Sequence, residues 1–314
     1  MENLNTDEIK NITGELKRLL TGAVKKSCTE EKIGIIFSAG IDSTIIAELA
    51  SQFSEVTAYS VGVCGAHDIE FAEKLKENSN FKIKIIKIAI NDVENAAREV
   101  VKIIKTPNAV KVSVGVPFYV ASKQAAGDGI KVMLCGQGAD ELFGGYNRYI
   151  ERIKEDNHYD TLKISEMIRE DVENIYENQL NNDSAICASN GIELRFPFMD
   201  DEFKNYASAI PVELKIHEIS KDEDVEFSCI DRINNKKFIR KFILRKVAEE
   251  IKIPGFIISR QKKAAQYGSG ANKILDKIAR SRGFREKAKE EGRKDYVNLF
   301  LEELLKKKEM QDVP

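Results

Sequence analysis

Ile33-Gly34-Ile35-Ile36-Phe37-Ser38-Ala39-Gly40-Ile41-Asp42-Ser43-Thr44-Ile45-Ile46-Ala47 is the stretch whose reading decides the fold. Its first five residues form an apolar run rich in Ile and Phe, the pattern of a strand buried in a parallel sheet. Gly40 then lets the backbone turn tightly, and Ser38, Ser43 and Thr44 offer hydroxyls. The residues that follow read as a helix. Its free N–H groups and the positive end of its dipole point back into the turn, which makes a ready anion site. The turn has no lysine, and the Gly-x-x-x-x-Gly-Lys spacing of the common phosphate loop is absent. Asp42 instead puts a carboxylate inside a phosphate nest. That is unfavourable unless a cation lies between, and Mg²⁺ is the usual one. A Ser/Gly turn with no phosphate, in which Asp42 is an ordinary helix N-cap, fits the same residues.

The whole chain narrows the choice. Its 314 residues give room for one large domain or two moderate ones. Apolar residues at 42 % and charged residues at 32 % describe a soluble globular protein, expected in the cytoplasm. A net charge of −2 gives no general attraction to nucleic acid or to a membrane. No apolar run approaches the ~20 residues of a membrane span, and the first residues do not read as a signal peptide. Five cysteines with no Cys-x-x-Cys pair argue against a disulfide framework and against zinc. The three histidines are scattered, which disfavours a histidine metal cluster or a Ser/His/Asp triad.

Outward from the opening stretch, strands and helices alternate. Residues 1–30 read as a helix. Strands are expected at 33–37, 56–63, 83–90 and 130–135, with helices at 44–53, 69–78, 93–104 and, entered near Pro117, 116–126. This is α/β: a parallel sheet sandwiched by helices, with ligands beyond the carboxyl ends of the strands. The fourth strand ends in Cys135-Gly136-Gln137-Gly138-Ala139-Asp140-Glu141-Leu142-Phe143-Gly144-Gly145-Tyr146. Gly136 and Gly138 permit close backbone approach to a ligand. Gly144 and Gly145 fall in the expected first turns of a helix, where each costs about 1 kcal/mol relative to Ala.

Beyond about residue 149 the pattern turns helical, at 159–173, 201–209 and 236–250. Two segments interrupt it: 191–200, which carries Arg195 and Asp200, and 259–270, which is basic and glycine-bearing. The expected division is 1–150 for the α/β core with its N-terminal helix, 151–275 for a helical part, and 276–314 for a C-terminal helical extension. An apolar stripe there (Tyr296, Phe300 and Leu304, with Val297, Leu301 and Leu305) suits a packing helix or a homodimer contact.

Five separated motifs resemble one family in order and spacing. These are Phe37-Ser-Ala-Gly-Ile-Asp-Ser43, Ser60-Val-Gly62, Gly136-Gln-Gly-Ala-Asp-Glu-Leu-Phe-Gly-Gly-Tyr146, Gly191-Ile-Glu-Leu-Arg-Phe-Pro-Phe-Met-Asp200 and Arg260-Gln-Lys262. Together they resemble the synthetase domain of glutamine-dependent asparagine synthetases, within the N-type ATP pyrophosphatases. The resemblance implies an AMP- and pyrophosphate-forming ligase that adenylates a carboxylate, aspartate by default, and passes the acyl group to ammonia or another amine.

It also implies a site. Ser38, Gly40, Asp42 and Ser43, with Ala39 and Ile41 completing the loop, would hold the ATP phosphates. Ile36, Val61, Gly62, Cys135 and Gly136 would line the adenosine. Asp42 and Asp140 would bind Mg²⁺. Lys262 would stabilise charge at the α-phosphate, with Gln137, Asp140, Glu141 and Asp200 as further candidate catalytic residues. The 267–270 segment would close over the intermediate. Two departures follow from the comparison. The chain is expected to lack the family's glutaminase domain, and the nitrogen is then expected as free ammonia, another amine, or the product of a separate glutaminase subunit. Gln137 stands where asparagine synthetases carry Glu, and an amide cannot take the proton a carboxylate would. Ala39 in place of Gly is tolerable where φ stays negative. A tRNA-modifying pyrophosphatase and a non-catalytic nucleotide-binding subunit remain as alternatives.

Overall fold

The computed structural model describes residues 6–156, 158–220, 227–261 and 265–309. α1 (Thr6–Ser27) buries Leu16, Leu19, Leu20, Ala23 and Val24, one stripe at helical spacing. The alternation then runs β1 (Lys32–Ile36), α2 (Ile41–Ala50), β2 (Glu55–Gly62), α3 (His67–Lys76), β3 (Lys82–Lys87), α4 (Ile90–Ile104), α5 (Ala109–Gly127) and β4 (Val132–Leu134). α5 begins well before Pro117, because the Asn108 side chain accepts from the Lys111 N–H and caps an earlier start. Pro117 lies inside the helix, not at its entrance.

The second half holds α6 (Ala139–Leu142), α7 (Asn147–Asp156), α8 (Thr161–Ile175), a π-helical turn (Tyr176–Leu180) and α9 (Asn181–Ala188). After β5 (Glu193–Arg195) come α10 (Asp201–Ala209), α11 (Val212–Lys215), β6 (Ile216–Glu218), β7 (Asp231–Ile233), β8 (Lys236–Arg240) and α12 (Phe242–Glu250). α13 (Gly255–Ile258), α14 (Ala265–Gly268), α15 (Ala271–Ser281), α16 (Phe284–Glu290) and α17 (Tyr296–Glu309) complete it. No helix among the described residues is long and apolar enough to cross a membrane.

Five strands pair in parallel in the order β3-β2-β1-β4-β5. Alternate residues feed the two faces. Ile33, Ile35, Val56, Ala58, Val132 and Leu134 pack with α1, α2, α10 and α12. Tyr59, Val61, Met133 and Cys135 pack with α4, α5, α9, α15 and α17. The stripe on α17 is consumed there: Phe300, Leu301 and Leu304 are buried within the chain.

Three expectations are corrected. The segment 191–200 adds a fifth strand, which was illegible because only Leu194 of its three residues is buried. The stretch 236–250 is β8 followed by α12, broken at Lys241, whose φ is +57°. β8 pairs antiparallel with both β6 and β7. The β7–β8 hairpin closes on Asn234-Asn235, with φ of +48° and +63°, the positive-φ pair that a two-residue hairpin loop requires. Finally, Gly144 and Gly145 follow α6, which is a single turn, instead of starting a longer helix.

The order in which strands are laid down reverses between β1 and β4, although all five run in parallel. The strands β1, β2 and β3 progress outward on one side, and β4 and β5 on the other. A crevice therefore opens at the carboxyl ends of β1 and β4, where ligands of open α/β sheets bind.

Candidate functional site

The loops leaving β1 and β4 are pressed together at that reversal. A Cβ on Gly136 would stand 2.9 Å from both Asp42 Cβ and the Ser43 backbone nitrogen, so only glycine fits there. Gly40 is the N-cap of α2 and supplies no side-chain cap, which leaves the first N–H groups of the helix directed at the loop. Ser43 Oγ lies 3.3 Å from Ser38 Oγ and 3.3 Å from the Gly40 carbonyl. These groups border a cleft of about 500 Å³.

Of the residues expected for the nucleotide, Ile36, Ser38, Gly40, Ile41, Asp42, Ser43, Val61, Cys135 and Gly136 line this cleft. Ala39 does not, because its side chain is fully buried in the core. Its φ is +52°, so the condition under which Ala was tolerable is not met. Gly62 lies behind the wall, where a Cβ would meet the Ser269 carbonyl at 3.1 Å.

Of the expected catalytic residues, Gln137 and Asp140 line the cleft. Glu141 points beneath it, 4 % exposed, and accepts a 2.5 Å hydrogen bond from the Tyr146 hydroxyl. Burial and the adjacent Asp140 push its carboxyl up. Asp200 lies apart from the cleft: it accepts from the Phe203 N–H at the start of α10 and pairs with Lys26 at 3.1 Å. That geometry gives it a capping task. Lys262 falls outside the described residues.

Asp42 and Asp140 converge, and the cation between them is Lys241. Its Nζ donates to Asp42 Oδ1 and Oδ2 at 2.7 and 2.6 Å and stands 2.7 Å from Asp140 Oδ1. The Lys241 side chain is 1 % exposed. The left-handed corner between β8 and α12 aims it there, and Gly145 leaves the room, since a Cβ on it would overlap the Asp140 carboxylate and the Lys241 chain. Arg240 fixes the corner by donating to the Gly145 carbonyl at 2.8 Å and pairing with Asp231.

A second cation binds the 38–43 loop itself. Arg260 donates to the Ser38 carbonyl at 2.7 Å and to Asp68 Oδ1 at 2.6 Å, with His67 Nδ1 at 2.7 Å. Its guanidinium also lies over the Phe71 ring. The Val63 N–H donates to the Ser269 carbonyl at 2.9 Å, which seats residues 268–270 on the end of β2. Arg245, buried and lining the cleft, adds a third positive group.

Sequence reasoning missed Lys241, Arg245, Gln179 and Asp183, and passed over Tyr146 and Arg148 as parts of the site. Lys241 sits in a run with five other basic residues, Lys236 to Lys246, and no local pattern sets it apart. Asp183 does carry a signal, being an acidic residue on the buried side of α9.

The family model for asparagine synthase matches residues 15–162 and 151–312. Across 93 % of its length the chain is 40 % identical to a candidate glutamine-hydrolysing asparagine synthetase of Methanocaldococcus jannaschii, covering 55 % of that protein. It is 26 % identical to a glutamine-hydrolysing asparagine synthetase of Lotus japonicus, over 79 % of this chain and 41 % of the other. The chain thus spans about half the length of the curated relatives it matches. Among solved structures, an NMN synthetase from Francisella tularensis aligns over 96 % of each chain, at a TM-score of 0.45 and 12 % identity.

Proposed function

The chain belongs to the asparagine synthase family, and on that footing we propose that its cleft binds ATP, adenylates a small carboxylate and passes the acyl group to a nitrogen nucleophile. Aspartate and ammonia are the default substrates. The observation that carries this reading is the convergence of Asp42, Asp140 and Lys241 beside the start of α2. Backbone N–H groups and three cations, Lys241, Arg245 and Arg260, line the cleft together with an apolar set that includes Ile36, Val61, Val114 and Phe118. A polyphosphate with an attached heterocycle suits that combination.

The donor chemistry fits Mg²⁺ as well. Two carboxylates already share a single cation within 2.7 Å, and hard oxygen donors are what this ion takes. Asp42 and Asp140 would hold it, and it would neutralise charge on the phosphates. In this reading the loop 38–43 and Arg260 grip the β- and γ-phosphates, and Lys241 balances the charge gathered between them. An oxygen of the carboxylate attacks the α-phosphorus, the bond to the β-phosphate breaks, and pyrophosphate remains in the loop. The nitrogen nucleophile then attacks the acyl carbon and AMP leaves. Lys262 is assigned, from the family resemblance, to charge stabilisation at the α-phosphate. Preorganised cations of this sort supply about 3 to 4 kcal/mol of barrier lowering each.

The products of ATP decide the matter. With the right carboxylate present, AMP and pyrophosphate are expected and ADP is not. Asp42→Asn should abolish their release, and Lys262→Ala should cut turnover about a thousandfold while ATP still binds. ADP as the product rules the reading out. ATP binding without pyrophosphate release, across a panel of amino-acid carboxylates with and without ammonia, favours a non-catalytic nucleotide subunit.

A further inference from the structure

Asp183, in α9, takes no part in the chemistry above, yet it reaches the cleft through two residues, Gln137 and Gln179. It is 3 % exposed, and its Oδ2 accepts a hydrogen bond from Gln137 Nε2 at 3.1 Å. The Gln179 amide also hydrogen-bonds to it. Gln137 and Gln179 line the cleft, and Asp183 lies behind them. The π-helical turn at Tyr176–Leu180 separates α8 from α9, and such a turn shifts the helix face so that Gln179 and Asp183 meet at this wall.

An ionised carboxylate only accepts hydrogen bonds, whereas a glutamine amide has one donating end and one accepting end. With its NH₂ held by Asp183, Gln137 has its carbonyl oxygen left to offer. We propose that Asp183 is a positioning residue, which fixes the Gln137 amide so that Oε1 faces the cleft and accepts an N–H of the attacking ammonia or amine. This rests on the ligase reading above and names the nitrogen subsite within it. Gln137 in this state selects a neutral N–H donor without adding a second negative charge to the wall.

The arrangement reverses on protonation. A protonated Asp183 donates to Gln137 Oε1, the amide turns over, and an NH₂ faces the cleft where the nucleophile needs an acceptor. The titratable groups facing Asp183 are Glu141 of α6, Cys135 at the end of β4 and Cys187 on α9. None of them is a cation. Burial, followed by the field of Glu141, pushes the Asp183 carboxyl up to about 7. Nitrogen transfer should therefore rise as pH climbs through neutrality.

Two half-reactions separate the proposal from the reading it rests on. ATP–pyrophosphate exchange without nitrogen reports adenylation, and the KM for ammonia, expressed as free ammonia, reports the nitrogen subsite. In Asp183→Asn the exchange should stay within about twofold of wild type. Its ammonia KM should rise about tenfold, the size of one lost hydrogen bond, and the limb of kcat/KM near pH 7 should vanish. An unchanged ammonia KM with the limb intact overturns the proposal. So does a parallel loss of exchange and amidation, which marks Asp183 as merely structural. Should Asp183→Asn not fold, Gln137→Glu carries the test: a second carboxylate beside Asp183 should move the limb to higher pH, and an unmoved limb refutes the proposal. Absence of exchange in the wild-type protein with every carboxylate defeats the ligase reading itself, and this inference with it.

Discussion

Lys241 and Asp42 stand 199 residues apart in the chain, yet two hydrogen bonds of 2.7 and 2.6 Å join them at the head of the sheet. The contact ties the corner between β8 and α12 to the loop after β1. Asp140, from the loop after β4, completes the trio. Each carboxylate is mostly buried, at 14 % and 12 % side-chain exposure. Removing the cation alone is therefore worse than removing the whole trio.

Lys241→Met should destabilise the nucleotide-free protein by about 3 kcal/mol, since both carboxylates lose their partner. Added Mg²⁺ should restore part of that loss, because the ion suits the same two oxygens. Urea unfolding with and without the metal measures both effects. Equal midpoints for variant and wild type contradict the account of the trio.

How much of this was legible depends on burial. β1, β2 and β4 announce themselves as apolar runs because each is covered on both faces, and the edge strand β3 by its three isoleucines. β5 and β6 are three residues each, with one buried side chain apiece, too few for any periodicity to register. The hairpin at Asn234-Asn235 carried a readable turn signal, but the apolar residues around it, Phe238, Ile239, Phe242 and Ile243, also satisfy helical spacing. The phosphate-type loop was legible because its chemistry is local. Lys241 was not, because its place is fixed by a non-glycine residue in the left-handed region and by partners far along the chain.

Gly136→Ala should separate the two loops. The added methyl meets Asp42 Cβ and the Ser43 nitrogen, and a backbone atom cannot swing aside as a long side chain would. A loss of about 2 kcal/mol in stability is expected from the overpacking. Pyrophosphate release should fall further than that loss alone explains. Calorimetric titration with ATP, on protein shown to be folded, tests it; unchanged affinity would mean that the loops do not share the ligand.

Ala39 offers the opposite case. At φ +52° its methyl is strained by about 1 kcal/mol. Ala39→Gly relieves that strain but loosens the unfolded chain by a similar ~0.4–1 kcal/mol, so the midpoint of denaturation should scarcely move. Ala39→Val should behave differently, because a β-branched side chain is a true outlier at positive φ. A penalty of about 2 kcal/mol or more is expected. Equal stability for the Gly and Val variants would show that the loop relaxes to negative φ.

Lys215 makes the stability of the fold depend on pH. It is 3 % exposed, its Nζ donates to the Ser208 carbonyl at 3.3 Å, and burial pulls its ammonium down to about 8. An unfolded lysine titrates near ~10.4. Between those values the unfolded chain binds more protons than the folded one, so stability rises with pH across the window and is lost as pH falls through about 8. The shift amounts to about 3 kcal/mol between the two limits. Lys215→Met removes the buried charge and should be the more stable protein near pH ~7, with the advantage shrinking toward pH ~10. Comparing urea midpoints of the two proteins at both pH values cancels the other titrating groups. A gap that stays constant would mean that the ammonium is solvated in the folded state.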